Sequence, residues 1–250
     1  MSNPLSTDPE KTARQDKLKY IRSIQTPTVE DISFLVSILT DAKENEIIQA
    51  ATLPVLKKAN DEAAAELVFY FNKIPKHDKK TRITLSYALS QLPSTPAAIF
   101  EKMTTDPVPQ IRKNGVVGIS LQNKGEWDAL LYDILITEPD SETAFEAASA
   151  LAVGKKRTLH LFESIISSDL KQNPYIDSEM KRMKELEKKD SSENSLPACH
   201  RLDDHVLGKI IETIGESGNE ESIRLIEPYT SHRNSNISNQ ANEIIRKYKK

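Results

Sequence analysis

An apolar pattern returns about every 31 residues along this chain, and no other feature narrows the possible folds as much. The template is Asp106-Pro107-Val108-Pro109-Gln110-Ile111-Arg112, followed by Gly115, Val116 and Ile119. A turn carrying Asp and Pro starts a helix, because Pro in the first turn forfeits no intrahelical hydrogen bond. Ile111, Gly115 and Ile119 then fall at spacing four on one helical face. The small central residue predicts close approach of a neighbouring helix. The same register reads Ile47, Ala51, Val55, then Thr81, Leu85, Leu89, then Thr143, Ala147, Leu151. It continues with Val206, Ile210, Ile214 and ends with Ile237, Ala241, Ile245. Successive first anchors lie 34, 30, 32, 63 and 31 residues apart. The gap of 63 predicts one further, degraded unit near residues 170–190, where Tyr175, Ile176, Met180, Met183 and Leu186 make a loose apolar stripe.

A second amphipathic stripe accompanies each of these. Ile32, Leu35, Val36 and Leu39 form one; Leu67, Val68 and Phe71 another; Ile99, Phe100 and Met103 a third. Trp127, Leu130, Leu131 and Ile134 follow, then Leu159, Phe162, Ile165 and Ile166, then Ile223 and Ile226. The unit is therefore two antiparallel helices with short loops. Neither could bury its face alone, and stacking the units gives a continuous core. Breaker clusters at Pro75–Asp78, Pro93–Pro96, Glu138–Ser141 and Gly215–Asn219 predict the loops. Asp140 or Ser141, and Asp61 or Thr95, are the expected N-caps. Pro54 is expected to kink or shorten its helix. Residues 1–27 read as a polar segment and a capping helix carrying Tyr20, Ile21 and Ile24. Residues 28–250 read as the array, with a polar loop inserted near 188–200.

Composition agrees with an all-α protein. Seven Gly are few for a fold built on tight β-turns or phosphate-cradling loops, and aromatics are only 6%. The longest apolar run, Leu67–Phe71, falls far short of the roughly 18 residues of a membrane span. Cys199 is the only cysteine, which excludes an intrachain disulfide and suits a reducing compartment. The polar Met1–Glu10 stretch shows no basic-then-apolar signal, so the expected location is cytoplasmic. The net charge is −3, with residues 1–125 at +3 and residues 126–250 at −6. A nucleic-acid binder concentrates Lys and Arg to displace counterions, and this chain does not. The acidic second half fits a basic protein partner better than a nucleic acid, and scattered surface charge is the plainer reading of the same residues.

Two segments resemble the second helix of a HEAT-type repeat. One is Asp106–Arg112 with Gly115, Val116 and Ile119; the other is Asp203-Asp204-His205-Val206 with Ile210, Ile211, Ile214, Gly215 and Gly218. The short period is similar to the bacterial HEAT-like units related to phycobilin lyase subunits, over roughly residues 28–248. The resemblance implies a right-handed α-α superhelix, a HEAT-like solenoid of about seven helical pairs, whose second helices line the concave side. It implies a scaffold or adaptor that binds proteins. Only Ile111-Arg112 keeps the apolar-basic pair of that family; the other units carry Ile47-Ile48, Thr81-Arg82, Thr143-Ala144, Val206-Leu207 and Ile237-Ser238.

Catalytic patterns are absent from the sequence. It contains neither Gly-x-Ser-x-Gly nor Gly-x-x-x-x-Gly-Lys-Ser/Thr. None of His77, His160, His200, His205 and His232 is followed by Glu, as a di-iron hydroxylase on a HEAT scaffold would need. Cys199, His200, Asp203, Asp204 and His205 are the densest group of potential metal ligands, but their spacing matches no closed zinc site, and acidic capping of a helix explains the aspartates. Trp127-Asp128 invites comparison with HEAT-like alkylpurine DNA glycosylases, yet Trp127 falls on an apolar stripe. Lys155-Lys156-Arg157 is a small basic turn. No catalytic residue, cofactor or metal is expected.

The function expected is a non-catalytic protein-binding module. Side chains two or three places after each first anchor should point away from the core: Gln49, Thr84, Lys113, Asn114, Glu146, Lys209, Asn239 and Gln240, with Glu212 and Glu243 one turn further on. The alternatives are a bilin lyase or lyase-like subunit, a toxin-neutralising immunity-type protein and a nucleic-acid-binding solenoid. No membrane partner is expected.

Overall fold

The structure is a computed structural model that describes residues 9–122, 125–172 and 202–249. It is all-helical, with no strand among the described residues, and no helix there is long and apolar enough to cross a membrane. The chain forms two compact units, Met1–Gln122 and Asn123–Lys250.

The first unit holds α1 (Pro9–Ser23), α2 (Val29–Thr40), α3 (Glu46–Leu56), α4 (Asn60–Lys73), α5 (Lys79–Ser90), α6 (Ala97–Thr104) and α7 (Pro109–Gln122). Helices joined by short loops pack as pairs: α2 with α3, α4 with α5, α6 with α7. A second set of contacts links alternate helices, α1 to α3, α2 to α4 and α5 to α7. Two layers result, α1, α3, α5 and α7 in one and α2, α4 and α6 in the other. The second unit holds α8 (Asp128–Thr137), α9 (Ser141–Val153), α10 (Leu159–Gln172), α11 (Asp204–Ser217), α12 (Glu220–Arg224) and α13 (Ser235–Tyr248). Here α8 pairs with α9, α10 with α11, and α12 and the 3-10 turn Glu227–Ser231 with α13, while α9, α11 and α13 stack in series.

The anchors of five helices are buried as the period predicts, save one: Thr81, Leu85 and Leu89; Ile111 and Ile119; Thr143, Ala147 and Leu151; Val206, Ile210 and Ile214; Ile237 and Ala241 are buried, while Ile245 in the last turns of α13 is half-buried. The exception is α3. Ile47 is 66% exposed, and the helix buries Ile48, Thr52, Val55 and Leu56 instead. Asn45 starts this helix by accepting from the Ile47 N–H at 2.9 Å, which turns the stripe by one residue. Pro54 sits in its last turn, and the helix passes at Leu56 into the 3-10 turn Lys57–Ala59.

Local chemistry repeats with the packing. An Asx side chain caps nearly every helix of the anchored layer: Asn45 for α3, Asp78 for α5, Asp140 for α9, Asp203 for α11 and Asn234 for α13. Each satisfies a backbone donor that the helix leaves open, worth roughly 1 kcal/mol. Of the N-caps expected from sequence, Asp140 holds. Asp61 lies in the first turn of α4, and Thr95 is buried, its hydroxyl donating to the Leu89 carbonyl at 2.8 Å. Thr158 does the same to Leu151 at 2.6 Å. Both tie a loop to the last anchor of the preceding helix.

Across the 63-residue gap α9 packs directly on α11, and α10 packs on α11 as its pair partner. The described residues contain six pairs besides α1. The stripe from Tyr175 to Leu186, the polar loop at 188–200, and Cys199 and His200 lie outside the described residues. Gly215 is also no breaker: α11 runs through it to Ser217. A Cβ at Gly215 would stand 2.6 Å from the Ile244 side chain, so this glycine lets α13 approach.

Gly118 does the same for α6. A Cβ there would sit 2.2 Å from the ring of Phe100, which is wholly buried. Gly118→Ala should therefore destabilise the protein by about 1–3 kcal/mol through overpacking, and Gly118→Ala with Phe100→Leu should recover part of the loss, measured by urea unfolding.

At the other end of the unit, Thr28 and Asp31 form a capping box on α2: the Asp31 N–H donates to Thr28 Oγ1 and the Thr28 N–H to Asp31 Oδ2. The Tyr20 hydroxyl of α1 donates to Asp31 Oδ1 at 2.6 Å. The Thr28 N–H, then Tyr20, hold the Asp31 carboxyl below the usual carboxylate range. A depressed folded value stabilises above the unfolded pKa, and that contribution disappears as the pH falls through the folded one. In Tyr20→Phe, an NMR titration should place Asp31 higher, and the dependence of stability on acid pH should become shallower.

Candidate functional site

The candidate surface is the side of the anchored layer turned away from the core. In the first unit α5 packs on α7, but no such close packing joins α3 to α5 among the described residues. A groove of about 260 Å³ opens there. Leu39 of α2 forms its floor; Ala50 and Leu53 of α3 face Ile83, Thr84 and Tyr87 of α5 across it; Gln110 and Asn114 of α7 close one end and Glu46 the mouth. Three of the expected positions, Gln49, Thr84 and Asn114, are brought together in this groove.

Two of these do not project freely. Gln49 is 7% and Asn114 4% exposed, contrary to the expectation that they point away from the core. The one-residue rotation of α3 turns Gln49 inward, where its Nε2 donates to the Ile38 and Asp41 carbonyls at 3.3 and 3.1 Å. Asn114 is drawn in by the close α5–α7 packing. Its Nδ2 donates to Ser86 Oγ at 2.8 Å and to the Ile83 carbonyl at 3.4 Å, and its Oδ1 accepts from Gln110 Nε2 at 3.2 Å. Thr84 is half-buried, its hydroxyl donating to the Lys80 carbonyl. Lys113 is half-buried beside Asn114.

In the second unit the positions fall on α9, α11 and α13. Glu146, Lys209, Glu212 and Gln240 are half-buried, and Asn239 and Glu243 are exposed. Lys209 and Glu212 pair with each other at 2.8 Å, one turn apart on α11. Gly208 leaves a notch beside Gln240, whose Oε1 lies 3.4 Å from where a Cβ would be. Phe145 of α9 and His205 of α11 stack with ring centroids 4.0 Å apart. Sequence reasoning missed this stacked pair, and it missed Glu46, Leu53, Ile83, Tyr87 and Gln110 in the groove. Ile83 and Tyr87 stand two and six places after the anchor Thr81, so the same counting extended by one turn finds them.

A wider cleft of about 670 Å³ lies on the other side of Glu46, bordered by Arg14 and Lys17 of α1, the Asp41–Asn45 loop and Lys80. Two of its lysines have partners: Lys17 pairs with Glu44, and Lys80 donates to the Ala42 carbonyl at 2.7 Å.

The residues that suggested chemistry serve packing. Trp127 is 5% exposed, too buried to stack on a base. Asp128 pairs with Arg157 through two hydrogen bonds of 2.7 and 3.1 Å, which engages one cation of the basic turn and raises its pKa. Asp203 caps α11, and Asp204 accepts from Asn234 Nδ2 at 3.0 Å. Among the described residues no group of three or more His, Cys, Asp or Glu is placed to hold a metal ion.

Neither a scan of protein-family models nor a search of curated proteins finds a match to this chain.

The burial pattern separates the expected positions into two classes. Asn114→Leu should cost about 1–3 kcal/mol in urea unfolding, because it strands the hydrogen-bonding groups that Asn114 serves. Asn239→Ala and Glu243→Ala should stay within about 0.5 kcal/mol of wild type in the same assay.

Proposed function

We propose that this protein is a non-catalytic binding module that grips another protein with the open face of its anchored helix layer. The observation that carries the reading is the groove between α3 and α5, where apolar side chains meet solvent beside hydrogen-bonding groups. Tyr87 is 48% exposed there, next to Leu53 and Ile83. Monomeric proteins seldom leave apolar side chains grouped in a concave surface unless something covers them. Tyrosine with an apolar ring and a polar tip is the residue type that protein interfaces favour. The acidic bias of residues 126–250 adds that the partner carries positive charge.

The same reading extends to architecture and family. The sequence period passes from Ile111 in the first unit to Thr143 in the second at its usual spacing, 32 residues, which supports one HEAT-like array over both. Pairs of helices with alternate helices in contact, seen inside each unit, are what such an array requires. A cytoplasmic scaffold or adaptor fits the single cysteine.

The test compares two aromatic residues of equal exposure on opposite layers. Wild type, Tyr87→Glu and Phe69→Glu are used as baits in cross-linked extracts of the native cell. Phe69 lies on α4 in the other layer and is 49% exposed. A partner captured by wild type and Phe69→Glu, and reduced at least about tenfold by Tyr87→Glu with an unchanged circular dichroism spectrum, supports the reading. Equal capture by all three variants overturns it.

A further inference from the structure

We infer that the groove between α3, α5 and α7 takes a basic side chain, an arginine ahead of a lysine, from the partner polypeptide. The inference rests on the protein-binding reading and adds the chemistry of the residue recognised. Size sets the first limit. At about 260 Å³ the groove lies below the roughly 300–1,000 Å³ of small-molecule and cofactor sites, and so suits one long side chain.

Hydrogen-bonding capacity sets the second. The amide donors that line the groove are already engaged by the fold. Gln49 Nε2 faces the Ile38 and Asp41 carbonyls, and only the nitrogen of that amide can do so. Asn114 Nδ2 faces the Ile83 carbonyl, which leaves Asn114 Oδ1 as acceptor for Gln110 Nε2. The Thr84 hydroxyl donates to the Lys80 carbonyl. What is left over is mainly acceptors. Gln49 Oε1 and Gln110 Oε1 receive no hydrogen bond among the described residues and open toward solvent. The exposed Glu46 carboxylate at the mouth forms no ion pair among them either. An occupant that displaces water from these acceptors must bring N–H groups of its own, because an acceptor buried without a donor is costly.

The walls set the third. Leu39, Ala50, Leu53 and Ile83 suit an aliphatic stem, and the exposed Tyr87 ring offers a face for a cation. Arg and Lys alone combine such a stem with a cationic, donor-only head. The guanidinium has five N–H donors for acceptors that lie apart, and the ammonium has three. A basic segment also meets the negative charge of Glu46 without displacing any existing contact.

The experiment uses the full chain labelled with ¹³C at Ile and Leu methyls. It is titrated with blocked Ala-Arg-Ala, Ala-Lys-Ala and Ala-norleucine-Ala peptides. The Arg peptide should shift Ile83 and Leu53 saturably and bind at least about fivefold more tightly than the norleucine peptide, with Lys between them. Glu46→Gln should weaken the Arg peptide by about threefold to fivefold and leave the norleucine peptide unchanged. Equal binding of Arg and norleucine, no saturable shift with any peptide, or an Arg affinity indifferent to Glu46→Gln would each overturn the inference. If Tyr87→Glu nevertheless abolishes capture of a partner, the protein-binding reading stands without its basic side chain. If the Arg peptide binds while Tyr87→Glu captures the partner as wild type does, the groove is basic-selective and the wider reading fails.

Discussion

Among the described residues the helices carry apolar stripes too narrow to be hidden by their own loops, and the fold exists because neighbouring helices cover them. The helix just before or after supplies one cover, and in several places the helix two places along supplies a second, as α5 does for α7, α9 for α11 and α11 for α13. Where both approaches are close, the sequence places a residue with no side chain at the contact, as Gly118 does against Phe100 and Gly215 against Ile244. Interiors are packed densely enough that a single methyl group is felt at such places. The same requirement explains the groove. Where α3 and α5 are not drawn together, the space between them stays open, and residues that a tighter stack would cover are left on its walls.

Polar links then hold each pair of helices in register. Arg82, at the start of α5, is buried against Asp106 in the turn before α7, and the Asp106 Oδ1 also accepts from the Val108 N–H at 3.0 Å. Arg112 donates to the Asp106 carbonyl at 3.0 Å. One aspartate thereby joins the turn, its own helix and the neighbouring helix. A buried pair of this kind adds little net stability over apolar residues of the same shape, but breaking it leaves a charge without compensation. It favours one alignment of α5 and α7 over others, and that alignment brings Asn114 against Ser86 and sets one end of the groove.

The regular part of this organisation was legible in the sequence because it is local. Helix starts need an Asx cap, and helix faces need apolar residues at spacing four, so Thr81, Ile111, Thr143, Val206 and Ile237 announce their own burial. Ile47-Ile48 did not, because two adjacent isoleucines satisfy the pattern equally and Asn45 decides between them. The surface positions were less legible. Counting two or three places from an anchor treats every helix alike, whereas Gln49 and Asn114 are turned inward by a shifted start and by one close helix contact.

The pairing of α10 with α11 joins helices whose ends, Gln172 and Asp204, stand far apart in the sequence. A short turn brings two helices together at little entropic cost, and the cost grows with the length of chain to be closed. The assembly of this pair therefore leans more heavily on the burial of side chains such as Phe162, Ile166 and Ile211.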